Sequence, residues 1–227
     1  MQLPLGVGLR DDATLKNYFP GQNLQVWQHV TQVAKGQGER FLYLWGPPGV
    51  GCTHLLQGAC LLANGSGRTA FYMTGEDLLQ NPDMLKGLEQ IGLVCFDNID
   101  VIAGNKAREE DLFHFFNRMR DEDKFLLVAG SHPPKELNLE LQDLKSRLGW
   151  GVTYHLMSLS DDEKIAALKL RAKARGLMLS DDVGHFIVTR CDRSMPTLYA
   201  ILDKLDNASL AAQRRLTIPF VKEVLGL

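Results

Sequence analysis

The chain has 227 residues, of which 45% are hydrophobic and 23% charged, with a formal net charge of −2. That balance supports a packed interior and excludes an intrinsically disordered chain. It also excludes a global positive field for nucleic acid, so DNA contact is expected only through a local basic patch.

Residues 1–12 carry Pro4, Gly6 and Gly8 and show no helical or strand periodicity. They read either as a frayed terminus or as a short linear motif in which Gln2, Leu3, Pro4 and Leu5 plug apolar pockets on a partner. From Asn23 to Lys35, Val26, Trp27, Val30, Val33 and Ala34 share one face, which predicts a helix stopped by Gly36 and Gly38. Phe41–Trp45 reads as the first core strand. Thr53–Ala63 reads as a helix with Leu55, Leu56, Ala59 and Leu62 inward.

Thr69–Met73 is the next expected strand, and the apolar run from Leu93 to Phe96, ending at Asp97, suits a fully buried parallel strand. A helix from about Ala107 to Arg120 follows, then a buried strand at Phe125–Ala129 broken by Pro133 and Pro134. Leu137 to Leu148 reads as mostly helical, and Val152–Leu156 as a last strand. This alternation predicts a five-stranded parallel α/β sheet covered on both faces.

Beyond Leu156 the pattern is helical. Ser160 with Glu163 forms a capping box, and Ser180, Ser194 with Pro196, and Thr217 with Pro219 each open a further helix. Three parts are therefore expected: a tail over 1–14, an α/β domain over 15–157 and a small all-α domain over 158–227.

Cys52, Cys60, Cys95 and Cys191 form no C-x-x-C pair, so zinc is not expected. Their apolar or motif contexts suit a reducing compartment. There is no basic segment leading into an apolar core, and no run long enough to span a bilayer. A cytoplasmic location and no membrane contact are expected.

The chemistry centres on Gly46, Pro47, Pro48, Gly49, Val50, Gly51, Cys52, Thr53 and His54. Strand, glycine-rich turn and helix start reproduce a P-loop, G-x-x-x-x-G-K-[ST], except that Cys52 stands where the lysine belongs. Main-chain amides can still cradle phosphates, because they do not depend on that side chain. Asp97, at the end of a buried strand, is a candidate Mg²⁺ ligand with Thr53. Asn98 follows where a carboxylate would polarise the attacking water, and an amide cannot take a proton. Ser131, at the end of another strand, reads either as a γ-phosphate contact or as a plain turn residue. Arg147, at a helix end before Gly149, reads either as a solvated cation or as an arginine finger. Lys169, Arg171, Lys173 and Arg175 read as a solvated helix face more readily than as a DNA contact.

On these residues the chain resembles the DnaA/Hda family of AAA+ proteins. Gly46–Leu56 is similar to that family's P-loop and following helix, Ser131–Leu137 to its sensor-1 loop, Leu144–Gly151 to its arginine-finger box, and Thr217–Leu225 to the last helix of its lid. The chain departs from the pattern at Cys52, at Asn98, and at Pro196, where a sensor-2 arginine would stand; neighbouring Arg193 is a candidate substitute. The resemblance implies an AAA+ module with an ADP ligand and Mg²⁺. It implies a replication regulator whose Arg147 acts in trans on ATP bound to DnaA, preventing re-initiation. Gln2, Leu3 and Leu5 would then dock on the β sliding clamp of the replicative polymerase, associating the protein with the nucleoid. DNA would be contacted indirectly or weakly, and homodimerisation stays open. The rival readings are a self-contained P-loop ATPase and a catalytically silent scaffold or clamp-loader-like subunit.

Overall fold

The computed structural model describes residues 13–227. The clamp motif at Gln2, Leu3, Pro4 and Leu5 lies outside them. The chain divides into two units: one holds residues up to Tyr18 together with Gln22–Met157, the other Phe19–Gly21 with Ser158–Leu227.

The first unit is built on strands β1 (Phe41–Trp45), β2 (Ala70–Thr74), β3 (Leu93–Asp97), β4 (Phe125–Gly130) and β5 (Val152–His155). They form one sheet in the order β2-β3-β4-β1-β5, parallel throughout. Phe41 lies opposite Leu126, and Leu42 opposite Val152, which places β1 between β4 and β5. Alternate residues of a strand face opposite sides, and each side here has its own core. Leu42, Leu44, Leu127 and Cys95 pack with Val30 and Val33 of α1 (Leu24–Ala34) and Leu55, Leu56 and Ala59 of α2 (Cys52–Gly65). Tyr43, Val94, Phe96 and Leu126 pack with Leu112 and Phe116 of α4 (Lys106–Asp121) and Leu144 and Leu148 of α5 (Gln142–Leu148). All five residues of β3 are buried, which is why that strand carries an unbroken apolar run.

Two segments differ from the sequence reading. Leu137 to Leu148 is helical only from Gln142. Before it, a short 3-10 turn at Pro134–Glu136 leads into extended chain whose Leu137 and Leu139 are buried two residues apart. Two adjacent prolines favour a turn, and a leucine at every second position serves an extended segment rather than a helix. The loop is held by Glu109, fully buried, whose carboxylate accepts the amides of Gly104 at 2.8 Å and Leu141 at 2.7 Å. The second difference is α3 (Gly75–Gln80), a helix absent from the sequence reading. Thr74 and Asp77 form its capping box, a signal that was present in the chain.

The second unit contains α6 (Asp161–Ala174), α7 (Asp181–Arg190), α8 (Met195–Ala212) and α9 (Ile218–Leu225). Ser160, Ser180, Ser194 and Thr217 cap them, each side chain accepting a backbone amide three residues on. Leu168, Ile187, Leu198, Leu202 and Phe220 fill the core.

Candidate functional site

Between β1 and α2 the loop turns through Gly49 at φ 81° and Gly51 at φ 111°, values that glycine adopts without a Cβ penalty. Gly46 lies so close to the Leu156 carbonyl that a Cβ would meet its oxygen at 2.8 Å. Pro47, Pro48 and Gly49 are exposed and Val50 is partly buried. Gly51 has no side chain with which to cap α2. The first-turn amides at Cys52 and Thr53 are thus free of a side-chain cap at a helix N-terminus, an arrangement suited to phosphate.

Cys52 opens α2. Burial, and then the nearby charge of Asp97, push its thiol up to about 12, so it is neutral at physiological pH. The position that holds an ammonium in an ordinary P-loop therefore carries no charge.

Asp97 is 2% exposed. Its Oδ2 accepts the Tyr72 hydroxyl at 2.8 Å and its Oδ1 the Asn98 amide at 3.0 Å. Burial raises its carboxyl above the ordinary range, partly offset by the hydroxyls of Thr53 and Tyr72 and the Asn98 amide. The Thr53 hydroxyl beside the Asp97 carboxylate is a hard oxygen pair that fits Mg²⁺, an ion held by one or two carboxylates, waters and ligand phosphates.

Asn98 takes a left-handed conformation at φ 54° and turns its amide towards Glu76, 3.3 Å away. Asp100, which the sequence reading did not single out, lies two residues on, in a 3-10 turn at Ile99–Ile102. Its carboxylate accepts the Ser131 amide at 2.7 Å and the Ser131 hydroxyl at 2.6 Å, and His132 Nδ1 lies 3.4 Å from it. Burial works against the Asp100 anion, but Ser131 and His132 outweigh it and hold the carboxyl below its ordinary range. Ser131 therefore offers its proton to Asp100. The signal in the chain was an acid three residues beyond Asp97, one turn past the buried strand.

His54 points its Nε2 at the Thr14 carbonyl, 2.8 Å away, and at Asn17 Oδ1, 3.0 Å away, with the Tyr18 ring edge-on to it. It fastens residues 14–18 over the start of α2.

Arg147 sits on α5. Its Nε donates to Asn117 Oδ1 at 3.2 Å, and its guanidinium carbon lies 3.6 Å from the centre of the Trp150 ring. The sequence reading missed Asn117 and Trp150 as its neighbours, since one of them is 30 residues away along the chain.

In the second unit, Lys169 pairs with Asp181, Arg175 with Asp203 and Asp206, and Arg171 with Asp203. The expected single solvated face is not formed: Arg171 is buried, and it lies with Arg175 on the opposite side of α6 from Lys169 and Lys173. Arg193 pairs with Asp161 at 3.2 Å, and Pro196 lies in the first turn of α8. Among the described residues, no helix is long and apolar enough to cross a membrane.

Comparison with known proteins gives two family matches. The model of the bacterial DnaA ATPase domain matches residues 9–155, and the model described as Hda, lid domain matches residues 161–225. Among solved structures, domain III of the Thermotoga maritima replication initiation protein DnaA aligns over 96% of this chain and 98% of its own, at 21% identity and a TM-score of 0.84. AMPPCP-bound DnaA from Aquifex aeolicus aligns over 86% and 65%, at 22% identity and 0.75. The Thermotoga maritima RuvB Holliday junction branch migration motor aligns over 90% and 68%, at 19% identity and 0.69. At these identities the structural likeness carries the fold alone.

Proposed function

We propose, on the premise that this chain belongs to the bacterial DnaA ATPase-domain family, that it is a replication regulator which stimulates hydrolysis of ATP held by DnaA. Its lid matches the Hda family model, which supports a regulator over an initiator. Its own P-loop holds a nucleoside diphosphate as a structural ligand. A solved DnaA relative is described as bound to AMPPCP, which supports a nucleoside phosphate as the ligand here.

The observation that carries this reading is the division of labour between two places. At the P-loop, a neutral thiol replaces the cation, and an amide replaces the acid that would polarise water. Charge that develops on a γ-phosphoryl group would go unmet there, whereas the main-chain cradle for α- and β-phosphates persists. Thr53 and Asp97 would hold Mg²⁺, which supplies charge neutralisation to the phosphates when bound. At the other place, Arg147 presents a permanently charged fork whose terminal nitrogens hydrogen-bond to no described residue. A guanidinium inserted into a neighbour's site meets charge that exists only in the transition state.

Residues 2–5 tether the protein to the sliding clamp, raising its local concentration near DnaA on DNA. The test is single-turnover hydrolysis of DnaA-bound ATP, with and without clamp loaded on DNA. Clamp-dependent acceleration supports the proposal. Unchanged hydrolysis favours the silent-scaffold alternative, and ATP turnover by this chain by itself favours the ATPase alternative.

A further inference from the structure

Trp150 is 53% exposed, although a ring of this size ordinarily gains by burial. One of its faces is occupied by Arg147, and Arg120 approaches the same ring to 5.7 Å. Three features fix the ring in place. The turn after α5 is closed by the Gly149 amide on Ser146 O at 3.1 Å and the Trp150 amide on Arg147 O at 3.0 Å, which folds the ring back over the arginine. Gly151 is pressed against β1, where an added Cβ would stand 2.0 Å from the Phe41 carbonyl oxygen. On α4, Phe113, Asn117 and Arg120 follow the i, i+4, i+7 spacing of one helix face. From that face Asn117 pins the guanidinium edge at Nε, and Phe113 lies 5.8 Å from its carbon.

The geometry points to Trp150 as a positioning residue: its ring is a platform that holds the Arg147 guanidinium flat, with the terminal N–H pair left for an anionic group of the partner. This rests on the reading of Arg147 as a finger acting in trans. A flexible arginine on a helix end would have to be ordered as each complex forms, whereas a stacked and pinned one is ordered beforehand. Misplacement of a catalytic group by about 1 Å can cost about 100-fold in rate, so the platform acts on turnover more than on docking.

The experiment uses the full chain as wild type, W150A and W150F, with R147K to assign the Arg147 Nε–Hε resonance. In the wild type that resonance is expected to be displaced by the aromatic ring current. It should return towards the free-arginine position in W150A and stay displaced in W150F. Single-turnover hydrolysis of DnaA-bound ATP is then titrated with each form. W150A should lower the saturating rate by at least about 10-fold while its half-saturating concentration stays within about 2-fold, and W150F should restore the rate.

An undisplaced resonance in the wild type, or one unmoved in W150A, overturns the platform. So does a W150A saturating rate equal to wild type, and so does a defect confined to half-saturation, which would make Trp150 a docking residue. Should W150A fail to fold, W150F with its smaller ring decides: loss of both displacement and rate in a folded W150F overturns the proposal. If the resonance behaves as expected while the wild type gives no stimulation, the finger reading fails and the role in turnover falls with it, leaving only the stack.

Discussion

Tyr72 donates its hydroxyl to Asp97 Oδ2 at 2.8 Å, between side chains that are both buried on adjacent strands β2 and β3. That bond, with those from Thr53 and Asn98, keeps a strand-end carboxylate oriented at the P-loop, but it does not fully compensate burial, and the carboxyl stays above its ordinary range. A carboxyl raised in the folded state binds protons more tightly folded than unfolded. Its contribution to stability is complete below the unfolded value and is lost as pH rises through the folded value. The Asp97→Asn variant lacks this titration. Urea unfolding from about pH 4 to about pH 8 should show wild type losing ground to D97N as pH rises. A difference independent of pH would contradict the assignment.

The Cys52 thiol, pushed up to about 12, should alkylate slowly at neutral pH although it is only partly buried at the start of α2. Site-resolved mass spectrometry after iodoacetamide treatment should show the rate climbing steeply with pH, and ADP should protect the residue. Fast modification at neutral pH would mean a thiolate, and hence a different charge balance in the pocket.

Restoring the ammonium separates binding from hydrolysis. Cys52→Lys should tighten ATP binding by about 10-fold or more, since a hydrogen bond to a charged group contributes about 1.5–3 kcal/mol. Hydrolysis by C52K alone should stay slow, because the Asn98 amide still cannot polarise water. Adding Asn98→Asp should be needed for turnover. Equilibrium binding and single-turnover kinetics on the two variants check each half.

Gly151→Ala drives a methyl group into the Phe41 carbonyl, so it should destabilise the first unit by about 1–3 kcal/mol or more. Gly65→Ala is the control. That glycine ends α2 with nothing within 4 Å of an added Cβ, so replacement should be neutral or slightly stabilising. Denaturant melts of the two variants give the comparison.

Strands β1 to β4 were legible because they are short, mainly apolar runs, and β3, buried throughout, was the plainest of them, whereas β5 alternates half-buried and exposed residues. The caps at Ser160, Ser180, Ser194 and Thr217 could be read for the same reason: a cap is a local bond, fixed by a spacing of three residues. What could not be read was long-range. Leu137 and Leu139 sit in a loop organised by Glu109, whose bonds to Gly104 and Leu141 only the folded chain brings together. The pairing of Asp100 with Ser131 joins the ends of neighbouring strands, and the seat of Arg147 on Asn117 and Trp150 joins α4 to the turn after α5. The family resemblance located Arg147 from its motif, whereas the groups that hold it appeared only with the fold.

On the proposed function, Arg147 is lent to a triphosphate bound elsewhere. The most direct measurement is single-turnover hydrolysis of radiolabelled ATP on DnaA, in the presence of clamp loaded on DNA and either wild type or Arg147→Ala. The wild type should accelerate hydrolysis, and R147A, folded and still retained on the clamp, should lose about 10³-fold or more of that acceleration, up to the full effect. Equal acceleration by R147A and wild type would contradict the account.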